Sequence, residues 1–191
     1  MNENEDRMLI ETVLAGDPQA FLPFIQKYKR LVGHIVGRMV HNQADREDVG
    51  QDIFVKIFRN LASFQFRSKL STWVARIAYN TCVHYLQKKR LPLLADEDSH
   101  EGDPFALLAS ETPDPSQWLE EQEMTLAVRE AVRSLAPVYA TVLTLYHLED
   151  MKYQEIAEIM GIPEGTVKSY LFRGRKLVLR RLTASYQEVA L

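Results

Sequence analysis

The chain has 191 residues, enough for one large or two small domains, and its 46% apolar and 26% charged residues are ordinary for a soluble globular protein. A single cysteine, Cys82, excludes a disulfide framework and suits a reducing compartment. The net charge of −3 is at odds with a protein that holds duplex DNA unaided, because phosphate binding needs a cationic surface. The acidic opening has no apolar signal core, and no run approaches the roughly 18 apolar residues of a membrane span. The expected location is the cytoplasm, with no membrane insertion.

Helical periodicity runs through most of the chain and β-branched alternation is hard to find, so the predicted class is all-α. A first helix is expected from about Arg7 to Leu14, ending at Gly16-Asp17-Pro18. A second begins there with Phe21, Phe24, Ile25, Tyr28, Leu31, Val32, Ile35, Val36 and Met39 at spacings of three and four. Lys27, Lys29, Arg30, His34, Arg38 and His41 give it a basic outer edge.

A third helix, about Asp45 to Ser63, opens on a capping pattern of Asp45 and Asp48. Val49, Ile53, Phe54, Ile57, Phe58 and Leu61 form its apolar face, with Gly50 allowing a close neighbour. At about 100° per residue, Asp48, Gln51, Asp52, Val55 and Arg59 fall on the opposite side. Periodicity supports a solvated face and a partner surface equally.

The segment Phe64-Gln65-Phe66-Arg67-Ser68-Lys69 mixes aromatics with cations and leads into a helix over about Ser71 to Lys89. Val74, Ile77, Ala78, Thr81, Cys82 and Tyr85 look like core. Trp73, Arg76, Asn80 and Gln87 line up on another face. A lone helical tryptophan is usually core, but Arg67, Lys69, Arg76 and Lys88-Lys89-Arg90 surround this one with cations. Aromatics that stack on bases beside cations that follow phosphates are the composition of a single-strand surface.

From Leu91 to Gln117 the periodicity fails at Pro92, Gly102, Pro104, Pro113 and Pro115. Ten acids lie between Asp96 and Glu123 with no Lys or Arg. This stretch is expected to be an acidic flexible linker. A helix from Trp118 to Leu135 and another from Val138 to Glu149 follow, with Leu119, Met124, Val128, Ala131, Leu135, Val142, Leu143, Leu145 and Tyr146 inward. The expected organisation is two small helical domains, 5–91 and 118–185, joined by a linker over 92–117.

The stretch from Tyr153 to Lys176 has the spacing of a helix-turn-helix. Ala157 is the small residue of the crossing, Gly161 supplies the turn, and Pro163 separates the helices. Ile156, Met160, Val167 and Leu171 close a small core. Lys168, Ser169, Phe172, Arg173 and Lys176 share the outer face, as a helix reading a major groove requires. Between Glu164 and Arg181 there are six cations and one acid, a one-signed face that suits phosphate. The end, Thr183 to Leu191, is expected to fray.

No histidine or cysteine spacing suggests a metal site, and no phosphate loop, nucleophile elbow or paired catalytic acid appears. Neither an enzyme nor a cofactor is expected.

Three segments in this order resemble the extracytoplasmic-function (ECF) sigma factors of bacterial RNA polymerase. They are Asp45 to Phe54, Ser71 to Asn80 (STWVARIAYN), and Tyr153 to Lys176, and the likeness spans about residues 5 to 183 without the linker. The resemblance implies that Asp48, Gln51, Asp52 and Val55 dock on core RNA polymerase. It implies that Phe64, Arg67, Lys69, Trp73, Arg76 and Asn80 open the minus-ten element of promoter DNA around a flipped base. Gly165, Thr166, Lys168, Ser169, Phe172, Arg173 and Lys176 would read the minus-thirty-five element. An anti-sigma protein is the implied regulator. Lys168 stands where many relatives carry Arg, and Asp52 where Glu is common. An alternative from the residues alone is a stand-alone helix-turn-helix regulator, which predicts tight DNA binding without polymerase.

Overall fold

The computed structural model describes residues 3–16, 18–89, 93 and 127–189. Among these the chain is helical throughout: α1 (Glu3–Leu14), α2 (Phe21–Met39), α3 (Gln43–Asn60), α4 (Leu70–Lys89), α5 (127–133), α6 (Pro137–His147), α7 (Tyr153–Met160) and α8 (Glu164–Val189), with short 3₁₀ turns at Pro18–Ala20 and Leu61–Ser63. The fold is all-α, as the periodicity predicts. The stretch expected to be a linker, apart from Leu93, lies outside the described residues, as do Arg90 and the expected helical start from Trp118 to Met124.

In α2, Phe24, Tyr28, Leu31, Val32, Ile35, Val36 and Met39 form one buried stripe at helical spacing. The chain leaves the helix at Val40, and Asn42 starts α3 by accepting the backbone N–H groups of Ala44 at 2.9 Å and Asp45 at 3.3 Å. The cap is therefore Asn42, three residues before the expected Asp45. The Asp45 carboxylate is used elsewhere: the Tyr85 hydroxyl donates to it at 2.7 Å and Lys89 lies 3.5 Å away, tying α3 to α4.

Val49, Ile53 and Ile57 bury the inner face of α3, one per turn, and Leu61 of the following 3₁₀ turn continues it. Two expectations fail here. Phe58 is 49% exposed, its ring edge-on to Phe21 of α2 rather than enclosed. A methyl group built at Gly50 would meet nothing within 4 Å, so no close neighbour depends on that glycine.

Helix α4 is enclosed more fully than one face can explain. Ser71, Thr72, Trp73, Val74 and Ala75 are all buried, and five consecutive positions sweep more than a full turn. Its neighbours are α2, α3 and α7. Helix α6 is enclosed in the same way from Pro137 to Leu145, between α2 and α8. Pro137 occupies the first helical position, where its missing N–H costs nothing. The buried apolar residues form one cluster running from Ile10 to Leu171.

Candidate polymerase and nucleic-acid interfaces

The turn between α7 and α8 is built as its sequence requires. Gly161 takes φ +66° and ψ +34°, and its N–H and that of Ile162 both bond the Ala157 carbonyl. A side chain at position 161 would be strained in this left-handed conformation. The Pro163 carbonyl then accepts Thr166 and Val167, starting α8. Ile156, Met160, Val167 and Leu171 are buried together, as the spacing predicts. Gly174 is a feature that the pattern did not single out. A methyl group there would lie 3.1 Å from Leu143 Cδ1, so the glycine sets how closely α8 crosses α6.

With that core closed, Gly165, Lys168, Ser169 and Arg173 are exposed on the first half of α8, while Thr166, Phe172 and Lys176 are half-buried beside them. The Lys168 ammonium lies 5.6 Å from the centre of the Tyr153 ring. The Ser169 hydroxyl donates to the Gly165 carbonyl at 2.9 Å, which leaves its oxygen lone pairs outward.

On the other half of the chain, Asp48, Gln51, Asp52 and Val55 are exposed along α3. Val55 is 44% exposed, an apolar centre among polar side chains. Lys56 pairs with Asp52 at 2.7 Å within the helix, leaving Asp48 and Gln51 to flank Val55 on the preceding turn.

The third group is where structure and expectation part. Trp73 is only 7% exposed; its ring packs 5.3 Å from that of buried Phe64, which in turn lies 4.8 Å from Phe66. The tryptophan therefore belongs to the packed interior here and does not lie open on an outer face. Phe66 carries the strain of the loop, with φ +55°, a conformation costing about 1–3 kcal/mol in a non-glycine residue. The Arg7 guanidinium sits 4.6 Å from its ring centre. Arg67 and Asn80 are exposed.

Lys69 and Arg76 are engaged by α7. Lys69 pairs with Glu155 at 2.9 Å, and Arg76 with Glu158 at 3.3 Å. Glu155 also accepts the Lys152 backbone N–H at 2.8 Å, closing the N-terminus of α7. Burial opposes its charge, but that N–H and the Lys69 ammonium hold its carboxyl below the usual glutamate range. Phe64, Arg67, Trp73, Arg76 and Glu158 line a cavity of about 320 Å³. A larger one, about 600 Å³, opens where α1 and α2 face Glu149 and Asp150.

A second line of contacts joins the halves. His34 of α2 meets Glu149, and the Arg38 Nε donates to the Thr144 hydroxyl of α6 at 3.0 Å. The Val138 N–H bonds the Leu93 carbonyl at 3.4 Å. Tyr170 of α8 stands near Tyr79 of α4, whose phenol is pushed up to about 12 by burial first and then by Tyr170 and Cys82. Among the described residues no helix is long and apolar enough to cross a membrane, and no group of His, Cys, Asp and Glu is placed to hold a metal ion.

Two family models match the chain. Residues 24–91 match the family Sigma-70 region 2, and residues 125–178 match Sigma-70, region 4. The RNA polymerase sigma-H factor of Pseudomonas aeruginosa is 34% identical over 194 residues, covering 98% of this chain and 99% of that protein. The ECF RNA polymerase sigma-E factor of Escherichia coli is 35% identical over 176 residues, covering 91% and 92%. Among solved structures, CnrH in complex with the cytosolic domain of CnrY aligns with a TM-score of 0.61 at 19% identity, covering 94% of this chain and 97% of that one. The sigma factor RpoE of Bartonella quintana, in complex with the anti-sigma factor NepR, gives 0.61 at 17% identity, with 85% and 96% covered. By sequence relationship across nearly its whole length, with the fold in accord, the chain belongs to the RNA polymerase sigma subunit family and is a promoter-directing sigma factor of the ECF type.

Proposed function

We propose a division of labour among the three groups of residues. Helix α3 docks on core polymerase through Asp48, Gln51, Asp52 and Val55. Helix α8 reads the minus-thirty-five element as duplex through Gly165, Thr166, Lys168, Ser169, Phe172, Arg173 and Lys176. Phe64, Arg67, Lys69, Trp73, Arg76 and Asn80 open the minus-ten element and hold the freed strand. The protein carries out no catalysis of its own and acts in the cytoplasm.

The observation that carries this reading is the outward face of α8. Lys168, Ser169 and Arg173 stand exposed on a helix whose other side is closed against α6 and α7. Cations and a hydroxyl on a rigid helix suit base edges and phosphates. The net charge of −3 supports a subunit that relies on polymerase for most of its hold on DNA. Two structural neighbours were solved with CnrY and with the anti-sigma factor NepR. An anti-sigma protein that covers the polymerase and DNA faces is the matching regulator for this chain.

The test is retention of the purified protein on sigma-free core polymerase, beside an Asp48→Lys, Asp52→Lys double variant. The parent is expected to bind and the variant to be lost, since mispaired interface charges cost about 2–5 kcal/mol, or roughly 30- to 5,000-fold in affinity. Equal retention of both would remove α3 from the docking surface. No retention of the parent, with tight sequence-specific DNA binding by the protein alone, would favour a stand-alone regulator.

A further inference from the structure

A surface for unpaired bases needs an open aromatic ring, and the rings around loop 64–69 differ in this respect. Trp73 and Phe64 are both buried, whereas Phe66 is 42% exposed. The Phe66 ring lies 4.8 Å from that of Phe64, which lies 5.3 Å from that of Trp73. The open ring is thus backed by a buried pair. Its backbone is strained, with φ at +55°, a region that bulky side chains avoid. Among the described residues the other non-glycine with positive φ is Asp150, whose short polar side chain tolerates that region far better. Strain that a fold retains clusters at functional positions.

The ring already has a flat partner. The Arg7 guanidinium of α1 lies over it, 4.6 Å from its centre. A guanidinium stacks on an aromatic face as a planar cation, and a nucleobase offers its own π-face to the same kind of ring. Arg7 is exposed, but its helix is anchored. The neighbouring Asp6 is buried and accepts the Lys27 ammonium at 2.6 Å and the Tyr28 hydroxyl at 3.1 Å, while Ile10 and Val13 join the core. We propose that Phe66 is the platform on which an unpaired base of the minus-ten strand stacks. Arg7 is its cation, moving from the ring to the phosphate of that nucleotide as the base takes its place. The inference rests on the reading of loop 64–69 and α4 as the single-strand face, and it supplies the open ring that this reading needs. Phe64 and Trp73 are then positioning residues, which hold Phe66 in place from behind.

The test uses the full chain assembled with core polymerase. The probe is fork-junction DNA from a cognate promoter, duplex through the minus-thirty-five element and unpaired over the minus-ten element. Affinity is measured over a range of salt concentrations, beside the urea midpoint of each variant alone. Phe66→Gly removes the ring at a position where glycine suits the backbone, so folding is protected. Phe66→Tyr and Phe66→Trp keep a ring there.

Phe66→Gly is expected to weaken fork-junction binding about 5- to 150-fold, the loss of one stacked base worth about 1–3 kcal/mol, while its urea midpoint stays level or rises. Phe66→Tyr and Phe66→Trp should bind as the parent does. Arg7→Ala should bind more weakly and flatten the dependence of log affinity on log salt by about 0.7, the share of one single-strand phosphate. Parental binding by Phe66→Gly would overturn the platform. So would a loss that neither Phe66→Tyr nor Phe66→Trp restores, because the loop backbone and not the ring would then be at fault. Arg76→Ala separates the platform from the reading beneath it. If that variant weakens fork-junction binding and Phe66→Gly does not, the platform alone fails. If neither weakens it, the single-strand reading of this loop and helix fails as well.

Discussion

Helices α4 and α8 carry similar chemistry and are used differently by the fold. Each sets cations beside an aromatic: Arg76 with Trp73, and Arg173 with Phe172. On α8 Lys168 and Arg173 stay exposed, because Val167, Leu171 and Gly174 spend only one side of the helix on α6 and α7. On α4 Trp73 is enclosed, with the Phe64 ring 5.3 Å from its own, and Arg76 is paired with Glu158 of the other half. Composition states what a face can bind. Packing decides whether the face is open when the protein is alone.

The largest effect that separates the two helices is expected from Trp73→Ala. A ring this buried should cost about 3–5 kcal/mol of stability when truncated, read as a lower denaturant midpoint. Below the new unfolding range, permanganate reactivity of the promoter bubble should also appear more slowly. A full stability loss with normal opening would make Trp73 a packing residue alone.

Arg173→Ala should behave oppositely. At an exposed position its stability should change by less than about 0.5 kcal/mol. Transcription from a cognate promoter should fall about 5- to 150-fold, the range for losing a contact worth about 1–3 kcal/mol, with binding to core polymerase intact. Unchanged transcription would remove α8 from the reading role.

The smallest effect concerns the interior beside α4. The Cys82 thiol is pushed up to about 12 by burial, against a smaller opposing pull from Lys56, and the Tyr79 phenol is also raised to about 12. Both groups hold their protons longer in the folded state. Their contribution is fully present below the unfolded values, about 8.5 for Cys and 10 for Tyr, and is lost as pH rises toward 12. The urea midpoint should therefore decline between pH 8.5 and 11, and Cys82 should resist Ellman's reagent at pH 8 until the protein unfolds. Rapid labelling of folded protein would place the thiol at the surface, contrary to its burial.

Much of the architecture is legible without coordinates because its signals are local. Apolar residues recur every three or four positions in α2 and α3, and Pro137, Gly161 and Pro163 punctuate helices where backbone geometry demands them. The core of Ile156, Met160, Val167 and Leu171 follows from spacing alone. Even here, neighbours shift the detail. Asn42 caps α3 while Asp45 bonds Tyr85 and Lys89, and Phe58 lies on the rim, edge-on to Phe21.

The sequence by itself determined the helical class, the helix-turn-helix and the order of motifs that marks the sigma family, since each depends on residues near one another in the chain. Only the tertiary structure decided that Gly174 is the crossing point of α8 on α6 and that Glu155 and Glu158 meet Lys69 and Arg76. Those pairs are separated by more than eighty residues. No periodicity records which distant helix will cover a face, because that choice belongs to the shape and charge of two surfaces together.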